Sequence, residues 1–134
     1  MIFRTFAGIA AAALCVAAAP AMAASQWPAS VVGTWSATAN QSTLSISIAS
    51  QGSAGECKSI GGTIVDQQSG GSSTLQGFYC PGSGRIQFLR SNGSTVFQVF
   101  TANLAFTGDT LNMGGTFAQD LSPYLGEYSF FAQK

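Results

Sequence analysis

Residues 43–50 read Thr-Leu-Ser-Ile-Ser-Ile-Ala-Ser. Leu44, Ile46 and Ile48 alternate with Ser45 and Ser47, a period of two that puts apolar side chains on one face of a strand and hydroxyls on the other. A helix would scatter the same residues around its axis. Stretches of similar character recur along the chain, divided by Gly-containing turns, and predict strands over 31–38, 43–50, 57–65, 73–80, 85–90, 95–104, 110–118 and 126–133. Eight such strands indicate an all-β domain, an antiparallel eight-stranded up-and-down barrel, with a β-sandwich as the alternative.

Two hairpins can be registered from the residues alone. Asn92-Gly93 favours a type I′ turn, because both central residues need positive φ. Centring the hairpin there sets Phe88 opposite Phe97, Ile86 opposite Val99 and Arg90 opposite Thr95 on one face. Leu89 and Phe100 then fall on the other. Cys57 and Cys80 lie symmetrically about an Asp66 to Gly71 turn, so they oppose one another across an antiparallel pair. That register groups Ile60, Gly62, Ile64, Leu75, Gly77 and Tyr79 as the core face and leaves Phe78 outside, with the cysteines stapling the outer surface or rim. Gly61-Gly62 marks a bulge or the close approach of another backbone. Tyr128 and Phe130 form the inward pair of the last strand, which is expected to pair with the first and remove exposed edges.

Outside this pattern lies the start of the chain. Arg4, the apolar run 6–19 and Ala21-Met22-Ala23 have the charge, length and small-residue site of a cleavable export signal, so residues 1–23 are expected to be removed and 24–134 to form one domain. The style of the signal points to a bacterial periplasm or to secretion, with no membrane anchor. Cys15 leaves with the signal. The remaining pair, Cys57 and Cys80, fits a disulfide in an oxidising compartment, where closing a loop of roughly two dozen residues is worth about 3 kcal/mol.

Charge excludes several functions. The mature chain keeps four basic residues (Lys58, Arg85, Arg90, Lys134) against five acidic ones, too few cations to neutralise a run of phosphates, so no nucleic-acid partner is expected. The absence of histidine removes the usual general base and the usual metal ligand. Asp109, Asp120 and Glu127, all near strand ends, could pair as glycosidase carboxylates, yet Asp109 and Asp120 stand in a turn and a loop where aspartate is favoured for local backbone hydrogen bonds. Pro81-Gly82-Ser83-Gly84 joins two strands rather than a strand and a helix and so cannot cradle phosphate as a phosphate-binding loop does. An enzyme is not expected, nor a metal or cofactor. Arg85 and Arg90 bracket one strand, either as recognition groups for an anion or as guards against edge pairing.

Gly33-Thr34-Trp35 opening the first strand, with an alternating second strand and six more, resembles the calycin architecture of lipocalins and avidins. The resemblance implies that Trp35 plugs the base of a barrel. Ala37 stands where an avidin carries asparagine, and the other tryptophan, Trp27, precedes the strand, so biotin is not implied. The chain is also similar to small exported inhibitors of bacterial metalloproteases, which act through an N-terminal arm; residues 24–28 would be that arm, within a flexible segment 24–30.

The expected function is binding. A small apolar molecule held inside the barrel ranks first, with Gly62, Gly77 and Gly115 leaving room on the inner face. A protein partner engaged as a protease inhibitor comes next, and a self-associating surface protein, a homo-oligomer, third. The candidate ligand or interface residues are Tyr79, Phe88, Phe97, Tyr128, Phe130, Arg85 and Arg90. The inward set is completed by Trp35, Leu44, Ile46, Ile48, Ile60, Ile64, Leu75, Val99, Leu111, Met113 and Phe117.

Overall fold

A computed structural model describes residues 26–134; residues 1–23, expected to be an export signal, and Ala24-Ser25 lie outside the described residues. The chain forms β1 (Gly33–Ala39), β2 (Ser42–Gln51), β3 (Lys58–Asp66), β4 (Ser72–Cys80), β5 (Arg85–Asn92), β6 (Thr95–Thr107), β7 (Thr110–Gln119) and β8 (Gly126–Gln133). Each strand pairs antiparallel with the next, and β8 returns to β1, so the sheet is a closed barrel rather than a sandwich. The closing seam is short, running from Ser36 opposite Gln133 to Ala39 opposite Phe130. Closure leaves no unpaired edge, so Arg85 and Arg90 do not guard one: β5 is paired on both sides.

The β3–β4 register is the one the cysteines imply. Lys58 faces Tyr79 and Ile60 faces Gly77, and Cys57 and Cys80 are bonded beside the first pair. Asp66 holds the turn between them, its carboxylate accepting from the Gln68 and Ser69 amides.

The β5–β6 hairpin departs from expectation. Its turn is Gly93-Ser94, flanked by Asn92 opposite Thr95, with the positive φ of 59° carried by Gly93 alone. Glycine at the first central position is the pattern of a type II′ turn, which satisfies strand twist as well as the Asn-Gly alternative does. A bulge then absorbs Phe97, so Arg90 faces Gln98 and Phe88 faces Phe100. Phe100 is therefore core and Val99 faces outward, half-buried; Phe97 is half-buried as well. A second bulge sits on β2 at Ala49, opposite the Gly61-Gly62 pair rather than within it.

Inside the barrel, Phe88 and Phe100 stack with centroids 4.8 Å apart, Phe100 stacks on Phe117 at 5.1 Å, and Phe130 meets Phe100 edge-on at 5.0 Å. Each fully buried aromatic contributes about 1.5 to 3 kcal/mol of transfer free energy. The inner-face glycines do not open space beside them. A Cβ on Gly62 would lie 1.8 Å from the Ser47 carbonyl, one on Gly77 2.0 Å from that of Gln87, and one on Gly115 1.9 Å from that of Thr101. These glycines let neighbouring strands coil sharply over one another, and the room expected there is filled by backbone.

One end of the barrel, where β1 begins and β8 ends, is sealed by the segment before β1. Trp35 is fully buried and its Nε1 donates to the Val31 carbonyl at 3.1 Å. The bulge at Ala49 turns Gln51 inward, opposite Ile60; its Nε2 donates to the Ala29 carbonyl at 2.8 Å and its Oε1 accepts from the Val31 amide at 3.0 Å. The Tyr79 hydroxyl donates to the Pro28 carbonyl at 2.6 Å. Trp27 stacks on Phe106 with parallel rings 6.0 Å apart, and lies so close over Gly84 that a Cβ there would meet its ring at 2.7 Å. Residues 27–32 are thus a strap across the base, not a flexible arm.

Adding a methyl at Gly62 or Gly115 forces backbone apart and is expected to cost about 2 to 3 kcal/mol. Gly82→Ala, with nothing within 4 Å of its Cβ, is expected to cost under about 1 kcal/mol; urea unfolding of the three variants checks the contrast. Burial also raises the Tyr79 pKa above its ordinary 10.0. The folded state therefore holds that proton more tightly than the unfolded chain, and this contribution, complete below pH ~10, is lost as pH rises through the folded value. Tyr79→Phe is expected to lose about 1 kcal/mol at neutral pH and to flatten the decline in alkali, read from urea midpoints across pH 8–11.

Candidate functional site

The opposite end of the barrel is open. Four turns surround it, those joining β1 to β2, β3 to β4, β5 to β6 and β7 to β8. Between them lies a cavity of about 590 Å³, within the size range of small-molecule sites. Its floor is the aromatic core, reached through Phe117 and Leu44, and its upper wall includes Tyr124, Tyr128 and Phe97. Phe117 and Tyr128 pack with centroids 5.5 Å apart. Asn40, Gln41, Asp66 and Ser69 stand at the rim.

Arg90 is the singular group in this cavity. It is only 8% exposed, on the inward side of β5 next to Phe88. Its Nε donates to Ser73 Oγ at 3.1 Å and its Nη1 to Gln98 Oε1 at 3.0 Å, while its guanidinium carbon lies 5.1 Å from the centroid of the Phe97 ring. Both hydrogen-bond partners are neutral. Desolvation lowers its pKa from the ordinary arginine value, with the Asp66 carboxylate acting in the opposite direction, and the side chain stays cationic throughout the physiological range. Burying a charge against neutral partners costs more than burying it against a carboxylate.

A network of amides extends from it. Gln98 Nε2 donates to Gln119 Oε1, across the β6–β7 pair in which these two residues face one another. The bulge at Phe97 makes this possible: it returns Gln98 to the inward side opposite Arg90 and lets consecutive residues, Phe97 and Gln98, both line the cavity.

The seven residues singled out in the sequence are divided between different places. Arg90, Phe97 and Tyr128 come together at the mouth. Phe88 and Phe130 belong to the packed core below. Tyr79 is tied to the strap at the base, and Arg85 is exposed at the base end of β5. Asp109 sits in the β6–β7 turn at the base, whereas Asp120 and Glu127 lie toward the mouth, both exposed, so the three carboxylates do not form one group. Among the described residues no cluster of His, Cys, Asp or Glu could hold a metal ion. Phe78 and Leu89 are outward-facing, 38% and 37% exposed.

Ser73, Gln98, Gln119 and Tyr124 are not legible as site residues from alternation alone. The signal for Gln98 is present all the same: in β6 the apolar series 97, 99 changes phase to 100, 102, 104, and such a break is the mark of a bulge. No family model matches the chain and no curated protein matches it.

Arg90→Met keeps much of the stem volume and removes a desolvated charge whose partners are neutral. Unfolding free energy is expected to be unchanged or to rise by about 1 kcal/mol. A loss above about 2 kcal/mol in urea would instead make Arg90 a structural prop.

Proposed function

We propose that this is an exported binding protein that holds a small molecule in the mouth of its barrel. The observation that carries the reading is the cavity of about 590 Å³, open at one end and floored by a packed aromatic core. The ligand sits above the core rather than within it, because inward space along the staves is occupied by Phe88, Phe100 and Phe130 and by backbone at the inner glycines. Tyr124, Tyr128 and Phe97 offer it apolar surface, and the Ser73, Gln98 and Gln119 side chains orient it.

Three features support the wider reading. The Cys57–Cys80 disulfide is compatible with passage to a periplasm or the exterior, in line with the signal at 1–23. A closed eight-stranded barrel with a buried tryptophan near its base is consistent with a calycin-like carrier. The sealed base gives one route of entry, from the mouth. The protease-inhibitor reading loses part of its arm, since Trp27 and Pro28 are seated on the barrel.

Native mass spectrometry of the protein purified from cells that export it tests this directly. The expected spectrum carries a mass excess that disappears on denaturation, and the same spectrum reports signal removal and subunit count. Gln119→Trp, which fills the mouth, is expected to abolish the excess. Ala118→Trp, on the exposed neighbouring position, is expected to retain it. An excess that survives Gln119→Trp places the ligand elsewhere.

A further inference from the structure

Resting on the mouth as the binding site, we infer that its ligand is a monocarboxylate with an aromatic or apolar body, whose carboxylate is taken by Arg90. A guanidinium offers five N–H donors and no acceptor, and the two hydrogen bonds of Arg90 use one on Nε and one on Nη1. The side chain lines the cavity while being more than nine-tenths buried. A buried cation with donors to spare beside a cavity is matched by an anion presenting two oxygens in the plane of the fork.

The orientation of the amides points the same way. Arg90 can only donate, so Gln98 must turn its oxygen toward it. That commits the Gln98 NH2 group to Gln119 Oε1, which leaves the Gln119 NH2 group as the free end of the network. From Arg90 through to Gln119, the network therefore ends in donors. A ligand that accepts hydrogen bonds is complementary to it; one that donates is not.

Charge selects among anions. Lys58, Arg85 and Lys134 all lie at the base end of their strands, so Arg90 is the one cation at the mouth among the described residues. Asp120 and Glu127 stand around the same end, and Asp66 lies at the rim with its carboxylate already capping its own turn. One buried positive charge beneath a ring of more solvated negative ones accommodates a single charge and repels a dianion such as a phosphate monoester. Phe97, Phe117 and Tyr128 then provide ring surface for the remainder of the molecule.

Calorimetric titration with three probes of one shape, 2-naphthoate, 2-naphthamide and 2-naphthylmethylamine, tests the inference at low ionic strength and pH 7. Naphthoate is expected to bind at least about tenfold more tightly than the amide, with the amine weakest. Amide-proton shifts on naphthoate addition are expected at the turns around Asp66 and Gly93 and not at the strap. Arg90→Met is expected to bring naphthoate down to the amide's affinity, and because the comparison among probes is made first on the unaltered protein, it does not depend on that variant folding. Equal binding of naphthoate and naphthamide at the mouth overturns the carboxylate assignment and leaves the mouth as a site. Failure of all three at millimolar concentration, or shifts confined to the outer face, overturns both.

Discussion

The constraint on which the rest of this structure depends is curvature. Eight short strands close into a barrel only if neighbouring staves coil steeply over one another. At three places the coiling brings one strand's carbonyl to where the next strand's inward Cβ would be, and those places hold Gly62, Gly77 and Gly115. They fall on the β2–β3, β4–β5 and β6–β7 hairpins, the three whose turns lie at the base. Large side chains opposite them recover the lost contact: Phe88 faces Gly77 and Phe130 faces Gly115. The same glycines that would hollow a loosely curved barrel are what let this one close tightly around phenylalanines.

Tight closure makes the two ends different. At the base the chain has a preceding segment to use, and Trp27, Pro28 and Val31 cover the apolar interior while Tyr79, Gln51 and the indole of Trp35 satisfy the carbonyls and amide that this covering buries. At the mouth nothing equivalent crosses the opening among the described residues. The side chains reaching inward there are accordingly polar or amphipathic: Ser73, Arg90, Gln98, Gln119, Tyr128. The chemistry of the protein is concentrated where its hydrophobic core stops.

Much of this is legible in the residues, and the exceptions have physical causes. Strand number, order and the β3–β4 register follow from alternation and from the cysteine pair, because a period of two with one apolar face allows few competing readings. The inward placement of Leu44, Ile46, Ile48, Ile60, Ile64, Leu75, Met113, Phe117 and Phe130 is observed. Alternation misplaces Val99 and Phe100 because the bulge at Phe97 reverses the faces of β6 beyond it, and a period-two pattern has no memory across an inserted residue. The glycines mislead for another reason: composition shows that a Cβ is missing but not what occupies its place. Phe78 and Leu89 face outward as their alternation indicates, since their strand pair carries no bulge.

Both bulges have the same effect at opposite ends. On β2 the extra residue Ala49 changes the parity of the residues after it, so Gln51 points inward instead of Ser50 and reaches the strap. On β6 the extra residue Phe97 does so for Gln98, which reaches Arg90 instead of solvent. In each case one inserted residue places a glutamine, able both to donate and to accept, inside an otherwise apolar barrel at the level where the core ends. At the base, both functions of the Gln51 amide go to the protein's own backbone, and the end is closed. At the mouth, the oxygen of Gln98 goes to a guanidinium and its nitrogen to a second amide, so the final donors of the network have the cavity before them. A shared device thus helps to seal one end and, at the other, borders an open cavity, and the two outcomes are separated by whether backbone or a cation supplies the glutamine's first partner.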